Sequence, residues 1–442
     1  MTYFKKIIFV IFFCCSFNLI GQQNIFKQYT KKDGLPSNTI NTIAQDAIGY
    51  LWIATNKGVT KFDGVRFQQI NNDETNTILI HNDKKYFGLN NGLYIKTENK
   101  DTLLTSKKVS KLFLQKNTLY VGTTEGVFYL NKNYLQPITI NTQLDFTTIN
   151  DIIYFNNNFY ISSNKGFWKI NDLKKPTEIK KLLTNHIIDS KIYNKKIIVA
   201  SKSNQLIIIE NDTVSKKINT IPDISSIDKI DNEFWITSIS NGIEVFNLPN
   251  FTFKQKINKY NTIATNAIKS IFYSEKIKII NTLNKGFYLT DYQTNKISKK
   301  PQIHIEKIYI NNKLKSVKKE SNKPVILAPN ENNILLNFKT VDILSPQNIS
   351  YRYQFNNGFS EWNTNNQVQF AALKPGKYTL KIQSKINDNE SEIEQLSFII
   401  EMPFYKSTYF ILGLIAATLL LSFLILHHHL KNVKRNNDKR IW

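Results

Sequence analysis

Cysteine is nearly absent from this chain of 442 residues: the two present, Cys14 and Cys15, stand side by side in an apolar run at the N-terminus. That run reads as an export signal, with Lys5 and Lys6 as its charged start, Ile7 to Ile20 as its apolar core and Gly21 as the small residue before cleavage. Removal at that point leaves a mature chain without cysteine, which excludes a disulfide scaffold, a thiolate metal site and a cysteine nucleophile. Arginine is almost as scarce. Only Arg66, Arg352, Arg435 and Arg440 occur among 58 basic residues, although the formal net charge is +24. Readers of base edges favour the bidentate arginine fork, and these lysines are scattered rather than gathered in a stripe. Nucleic acid is therefore not an expected partner. Also missing are a glycine-rich phosphate loop, a serine nucleophile elbow and a His-Glu zinc helix, which argues against an enzyme.

What the sequence does have is a second, stronger apolar segment. From Tyr409 to Leu426 there is no charge. At about 1.5 Å per residue this stretch covers most of a hydrocarbon core of about 30 Å. Pro403, Phe404, Tyr405 and Tyr409 precede it as an aromatic boundary, and Lys431, Lys434, Arg435, Lys439 and Arg440 follow it. The positive-inside rule then sets 429–442 as a short cytoplasmic tail after a membrane helix at 405–428. The export signal at 1–21 agrees, placing residues 22 to about 405 in the periplasm of a single-pass protein of a bacterial inner membrane.

Between the two apolar segments the chain repeats itself. Trp52-Ile53-Ala54-Thr55-Asn56-Lys57-Gly58-Val59 recurs at Tyr86 to Leu93, Tyr120 to Val127 and Tyr160 to Phe167, always with an aromatic residue six positions before a glycine. Weaker copies run from Ile198 to Gln205, with Asn204 in the glycine position, and from Trp235 and Ile279, with one extra residue before Gly242 and Gly286. Seven units of this length, each an alternating apolar run, an aromatic strand, a tight turn and another strand, predict an all-β fold: a seven-bladed β-propeller over 22–300. The turn needs positive φ, which glycine adopts freely and asparagine tolerates. The aromatics are expected to pack between blades, and Ile25 to Tyr29 is expected to complete the last blade and close the ring. Residues 301–404 read as an immunoglobulin-like β-sandwich, with strands at 303–310, 334–338, 349–355, 377–384 and 394–401.

Two stretches carry a family resemblance. Gly34-Leu35-Pro36-Ser37-Asn38-Thr39-Ile40, Gln45-Asp46, Gly49-Tyr50-Leu51-Trp52-Ile53-Ala54-Thr55, Gly58-Val59 and Phe62-Asp63-Gly64 resemble the two-component regulator propeller repeat of periplasmic sensors. Tyr351-Arg352-Tyr353, Trp362, Leu373-Lys374-Pro375-Gly376-Lys377-Tyr378 and Pro403-Phe404 resemble the three-Tyr domain that follows such propellers. The resemblance implies a propeller that takes up a periplasmic stimulus, a carbohydrate in some members. It also implies a sandwich that relays the stimulus through the helix to a cytoplasmic histidine kinase or DNA-binding output domain, and a receptor that signals through one helix is expected to be a homodimer. Sixteen residues follow Leu426, too few for such a domain, so the expectation is a sensor severed from its output or one that works with a separate kinase or regulator.

Candidate chemistry is thin. His427, His428 and His429 sit at the end of the membrane helix, and His81, His186 and His304 have no carboxylate at metal-ligand spacing, so neither metal nor cofactor is expected. Asp151 and Asp189 both stand nine positions before the start of an aromatic strand and are the one pair that fits a propeller enzyme working by general acid and base. No catalytic or ligand-binding residue follows from the sequence. The main alternative to a receptor is a membrane-anchored, glycan-binding protein or propeller enzyme.

Overall fold

The computed structural model describes residues 26–98, 100–139, 147–274, 277–291, 300–315, 324–355 and 358–438. The proposed export signal at 1–21 lies outside them. The chain divides into two compact units, Met1–Ile297 and Ser298–Trp442.

The first unit contains seven four-stranded antiparallel sheets. Each blade begins with an inner strand: Ile40–Gln45, Thr75–His81, Val109–Gln115, Ile149–Phe155, Ile187–Tyr193, Ile224–Ile230 and Ile268–Tyr273. These pack one against the next, and the last packs against the first, so the ring is closed. Closure uses the other end of the chain. Lys27–Tyr29 forms the outer strand of the seventh blade, with Lys27 opposite Leu289 and Tyr29 opposite Phe287. Tyr29 then stacks on Phe287 at 5.0 Å and meets Phe62 of the first blade edge-on at 5.1 Å, which ties the seam with aromatic surface.

The turn residues behave as their chemistry requires. Gly58, Gly92, Gly126, Gly166, Gly242 and Gly286 all have positive φ, as does Asn204 at 61°. The glycines have a second reason besides φ: a Cβ on Gly286 would run into the carbonyl oxygen of Tyr29, and one on Gly58 into that of Asn71. Asn204 escapes this because its hairpin differs from the expected two-residue turn. Ser201 pairs with Gln205, so three residues form the loop, and Asn204 stands before the third strand rather than in it. In the first, third and fourth blades the residue opposite the glycine is Thr55, Thr123 or Ser163, whose hydroxyl donates to the glycine carbonyl at 2.9 Å and accepts the N–H of the preceding loop residue.

Aromatics at the recurrent position are buried and pack forward onto the following blade. Tyr86 joins Val109, Leu112 and Val121, Tyr120 joins Ile149, Ile152 and Phe159, and Trp235 joins Ile268, Ile271 and Ile280. Ile198 fills the same position in the fifth blade against Ile224 and Ile227. Burying each such side chain is worth about 1.5–3 kcal/mol, so the interfaces hold the ring together one blade at a time.

The second unit carries two sheets. Lys313–Lys315, Ile303–Ile310, Ile334–Thr340 and Gln367–Phe370 form one; Val325–Leu327, Glu394–Ile400, Gly376–Ile386 and Ile349–Gln354 form the other, with Asn389–Glu390 added beside Gly376–Ile386. Leu336, Phe338, Leu380 and Phe398 are almost fully buried among the residues of its core. The motif tyrosines are structural: Tyr351 packs on Phe338 and its hydroxyl accepts from the Thr340 N–H, while Tyr378 donates to the Lys374 carbonyl four residues upstream, an arrangement like the tyrosine corner of immunoglobulin folds. Arg352 lies over the rings of Trp362 and Phe359 at 4.3 and 4.7 Å. After this unit's last long strand the chain reaches a helix spanning Thr408–Asp438, whose first turn is capped by Ser407 through the Phe410 N–H. The helix runs on through His427–His429, where the sequence reading ended the span at 428 and began a tail.

Candidate functional site

The inner strands share a feature that the sequence did not reveal. Each carries a β-bulge directly after its first residue, so the second residue is skipped in the pairing: Asn41, Asn76, Ser110, Asn150, Ile188, Ser225 and Lys269. A bulge re-aims a side chain and leaves ladder groups unpaired. In four of the seven the released side chain reaches across to the next blade. Asn41 donates to the Thr75 carbonyl at 2.7 Å, Asn150 to Ile187 at 2.6 Å and Ser225 to Ile268 at 2.8 Å, and Ser110 does the same to Ile149. The innermost edges of the sheets, which would otherwise present bare backbone, are thereby tied by side chains.

The third and fifth residues of each inner strand lie on one face of it. The third positions read Thr42, Thr77, Lys111, Asp151, Asp189, Ser226 and Ser270; the fifth read Ala44, Leu79, Phe113, Ile153, Lys191, Asp228 and Phe272. At these two positions charge falls on consecutive blades, the third to the sixth. Asp151 and Asp189 are brought together there, on neighbouring inner strands, and both accept from the N–H of Ser190, at 3.2 and 2.8 Å. Asp151 also takes the Ser190 hydroxyl at 2.7 Å and the Lys111 ammonium at 2.5 Å. Asp189 takes Lys191 at 2.9 Å and, through its other oxygen, the Ile227 N–H of the next blade at 2.9 Å. Asp228 stands 3.9 Å from Lys191.

The electrostatics follow from this wiring. Burial alone would raise the Asp151 pKa, but Lys111 and Lys191 outweigh it and hold the carboxyl below its ordinary range. Burial opposes charge on Lys191 too, yet Asp189, Asp228 and Asp151 keep it protonated well beyond the usual lysine value. Asp228 is different. Burial pushes its pKa up to about 7, Lys191 pulls the other way and Asp189 adds to the rise. Asp151 and Asp189 thus work as bridges between blades, each paired with a lysine.

The histidines do not converge. His186 lies beside Asn150, with Nε2 3.2 Å from Nδ2, and burial lowers its pKa. His81 closes the inner strand of the second blade, His304 lies in Ile303–Ile310, and His428 faces Asn432 at 2.9 Å. Among the described residues no group of three His, Cys, Asp or Glu side chains is arranged to hold a metal ion. One helix among them, over Thr408–Asn432, is long and apolar enough to cross a membrane, and it is fully exposed.

Comparison with known proteins agrees with this architecture. Residues 34–57 match the family described as two component regulator propeller, and residues 342–401 match the Y_Y_Y domain. Over 73 residues the chain is 37% identical to "Histidine kinase P4" of Formosa agariphila, which is 16% of this chain and 5% of that protein. Among solved structures it is similar to the extracellular domain of the hybrid two component system BT3049 from B. thetaiotaomicron, at 19% identity and a TM-score of 0.52, covering 86% of this chain and 58% of that one. The extracellular domain of BT4673 from the same organism, titled a one component system, gives 17% identity and a TM-score of 0.51, covering 87% and 60%. The chain therefore spans a twentieth of the curated relative and less than two thirds of these solved ones. The chain thus carries, in that order, a segment that matches the two component regulator propeller and one that matches the Y_Y_Y domain.

Proposed function

We propose that this chain is the sensory portion of a two-component-type membrane receptor, with the propeller and sandwich in the periplasm and the basic end of the helix in the cytoplasm. One observation carries the reading: the sandwich strand Glu394–Ile400 leads through residues 401–407 alone into the apolar helix that starts at Thr408. So short a tether transmits displacement or rotation of the strand to the helix, where a long flexible linker would absorb it. Phe404 packs edge-on against Tyr405 and Phe410, at 5.7 and 5.4 Å, as an aromatic boundary at the membrane surface. The relay ends on a transmitter, either joined to the helix or supplied by a partner, and the receptor is proposed to work as a homodimer. Catalysis forms no part of the reading, because the carboxylates that would perform it are engaged by lysines and backbone N–H groups.

Labelling tests the topology. Single cysteines at Ser203, in a propeller hairpin, and at Asn432, at the basic end of the span, are exposed to a membrane-impermeant maleimide in intact spheroplasts. Labelling of S203C and protection of N432C until lysis is the expected result; labelling of both overturns the reading. Relay is tested by joining a histidine-kinase transmitter after Asp438 and inserting eight Gly and Ser residues between Met402 and Pro403. The insertion is expected to abolish stimulus-dependent phosphorylation, and unchanged phosphorylation overturns the tether as the coupling element.

A further inference from the structure

The two ends of the sandwich differ in charge, and strand register fixes which end meets the helix. Gly376 and Leu327 flank Ile400 on the two neighbouring strands, so the segments 328–333 and 371–375 lie at the end where Glu394–Ile400 leaves for the helix. The hairpin at Asn311 and Asn312 joins them. The Asn311 side chain donates to the Asn330 carbonyl at 2.7 Å, its N–H donates to the Asn333 carbonyl at 2.9 Å, and the Leu373 N–H donates to the Asn332 carbonyl at 3.1 Å. At the opposite end Asn348 donates to Asn387 at 2.9 Å and ties the segments 341–348 and 387–393 together.

Those opposite segments contain Asp342, Asp388, Glu390 and Glu392 and neither lysine nor arginine; Glu390 and Glu392 are met by Arg352 and Lys300 from elsewhere in the unit. Near the helix the balance reverses. Lys313, Lys374, Lys377 and Lys406 are exposed there and form no ion pair among the described residues, Lys315 pairs with Glu331 at 3.1 Å, and Glu401 is the remaining carboxylate of these segments. A lysine-rich composition accounts for many lysines, but not for the sorting of the two signs to opposite ends.

The way from this end to a bilayer is short. Phe404 and Tyr405, 73 and 53% exposed, belong to the headgroup layer, and residues 401–403 alone separate Phe404 from Ile400. At 3.3 Å per residue that is at most about 13 Å, against a Debye length of about 8 Å at physiological ionic strength, and the lysine side chains reach across the difference. We propose that this end of the sandwich docks on anionic phospholipid headgroups through Lys313, Lys374, Lys377 and Lys406, with the acidic end held away from them. Each lysine brought to an anionic surface favours the contact about fivefold, so the set acts together where one alone would not hold. A zwitterionic surface offers these lysines no net charge.

The docking rests on the helix that starts at Thr408 being a membrane span. Lysine acetylation read by mass spectrometry tests it, on the full chain in nanodiscs of phosphatidylcholine with or without an equal part of phosphatidylglycerol. Lys313, Lys374 and Lys377 are expected to react about fivefold more slowly in the anionic discs, with Lys300 and Lys385 towards the acidic end unchanged. Salt at about 1 M, where the Debye length falls to about 3 Å, is expected to remove the difference. Equal rates in the two kinds of disc, slowing at both ends alike, or slowing that survives the salt overturns the docking. The variant K374E/K377E reverses two exposed charges that pair with no described residue, so Lys313 is expected to react in anionic discs as fast as in neutral ones; unchanged slowing overturns the joint contact. A chain with the proposed topology whose three lysines react equally in both discs loses the docking alone, while one that protects them but labels at N432C from outside loses the receptor reading alone.

Discussion

The interfaces between blades and the wall of the channel are built from the same strands, yet one repeats and the other does not. At the interfaces a large apolar residue returns in every unit and packs onto the blade that follows, as Tyr86, Tyr120, Ile198 and Trp235 do. On the channel wall the third position changes from threonine to lysine to aspartate to serine, with charge on a run of consecutive blades. Positions that recur answer to the common geometry of a ring. Positions that break the repeat are where an individual propeller acquires its chemistry.

The comparison predicts a steep hierarchy. Trp235→Ala leaves a cavity between the sixth and seventh blades, where Ile268, Ile271 and Ile280 lose their partner, and should destabilise by about 3–5 kcal/mol in urea or thermal unfolding. Next comes Asp189→Ala. It strips Lys191 of its nearest counter-charge and leaves the Ile227 N–H without its acceptor, an expected loss of about 3 kcal/mol, whereas Asp189→Asn keeps an acceptor and should cost roughly half as much. Were Asp189→Ala neutral, the carboxylate would not be a tie between blades. The distinction between channel and interface would then be one of chemistry only, without a structural share.

Much of this was legible beforehand, for physical reasons that differ by residue. Aromatic-to-glycine spacing marks strand and turn because φ at the turn excludes other side chains, so the blades and even the closing strand could be placed. Asn204 could be recognised as a turn residue, but not the longer hairpin it serves, since loop length is a property of pairing. The third positions could be aligned, and Asp151 and Asp189 duly stood out at equal distance from their aromatic strands. Their partners did not. Lys111 and Lys191 are two among 54 lysines, and the bulge that turns each inner strand towards the channel leaves no mark in composition.

The turn itself allows a sharper contrast. Gly286→Ala places a Cβ against the Tyr29 carbonyl at the ring closure, so the seventh blade and the N-terminal strand must separate slightly; a loss of about 2 kcal/mol is expected. Asn204→Ala meets the same positive φ without that close approach and should cost about 1 kcal/mol, with Asn204→Gly close to neutral. Equal losses at both positions would mean that the dihedral angle decides the residue and the backbone contact does not.

Asp228 separates the two regions by pH rather than by size. Its folded pKa of about 7 lies above the ordinary carboxyl value of 3.8, so the folded protein holds this proton more tightly than the unfolded chain does. The resulting stabilisation is complete below about pH 4 and is lost as pH rises towards 7, after which both states are ionised and the dependence ends. Asp228→Asn cannot ionise and removes that slope. With the neighbouring Lys191 favouring the charged form and part of the side chain reached by water, the difference should be about 1 kcal/mol in favour of the variant at pH 8, shrinking to nothing near pH 4. Interface variants such as Phe234→Ala, at a residue that packs among apolar partners, remove no titrating group and should lower stability by the same amount at both pH values. A variant curve parallel to the wild type across this window would place Asp228 in ordinary solvent, and the inner-strand charges around Lys191 would then stand in open water rather than in a partly desolvated cluster.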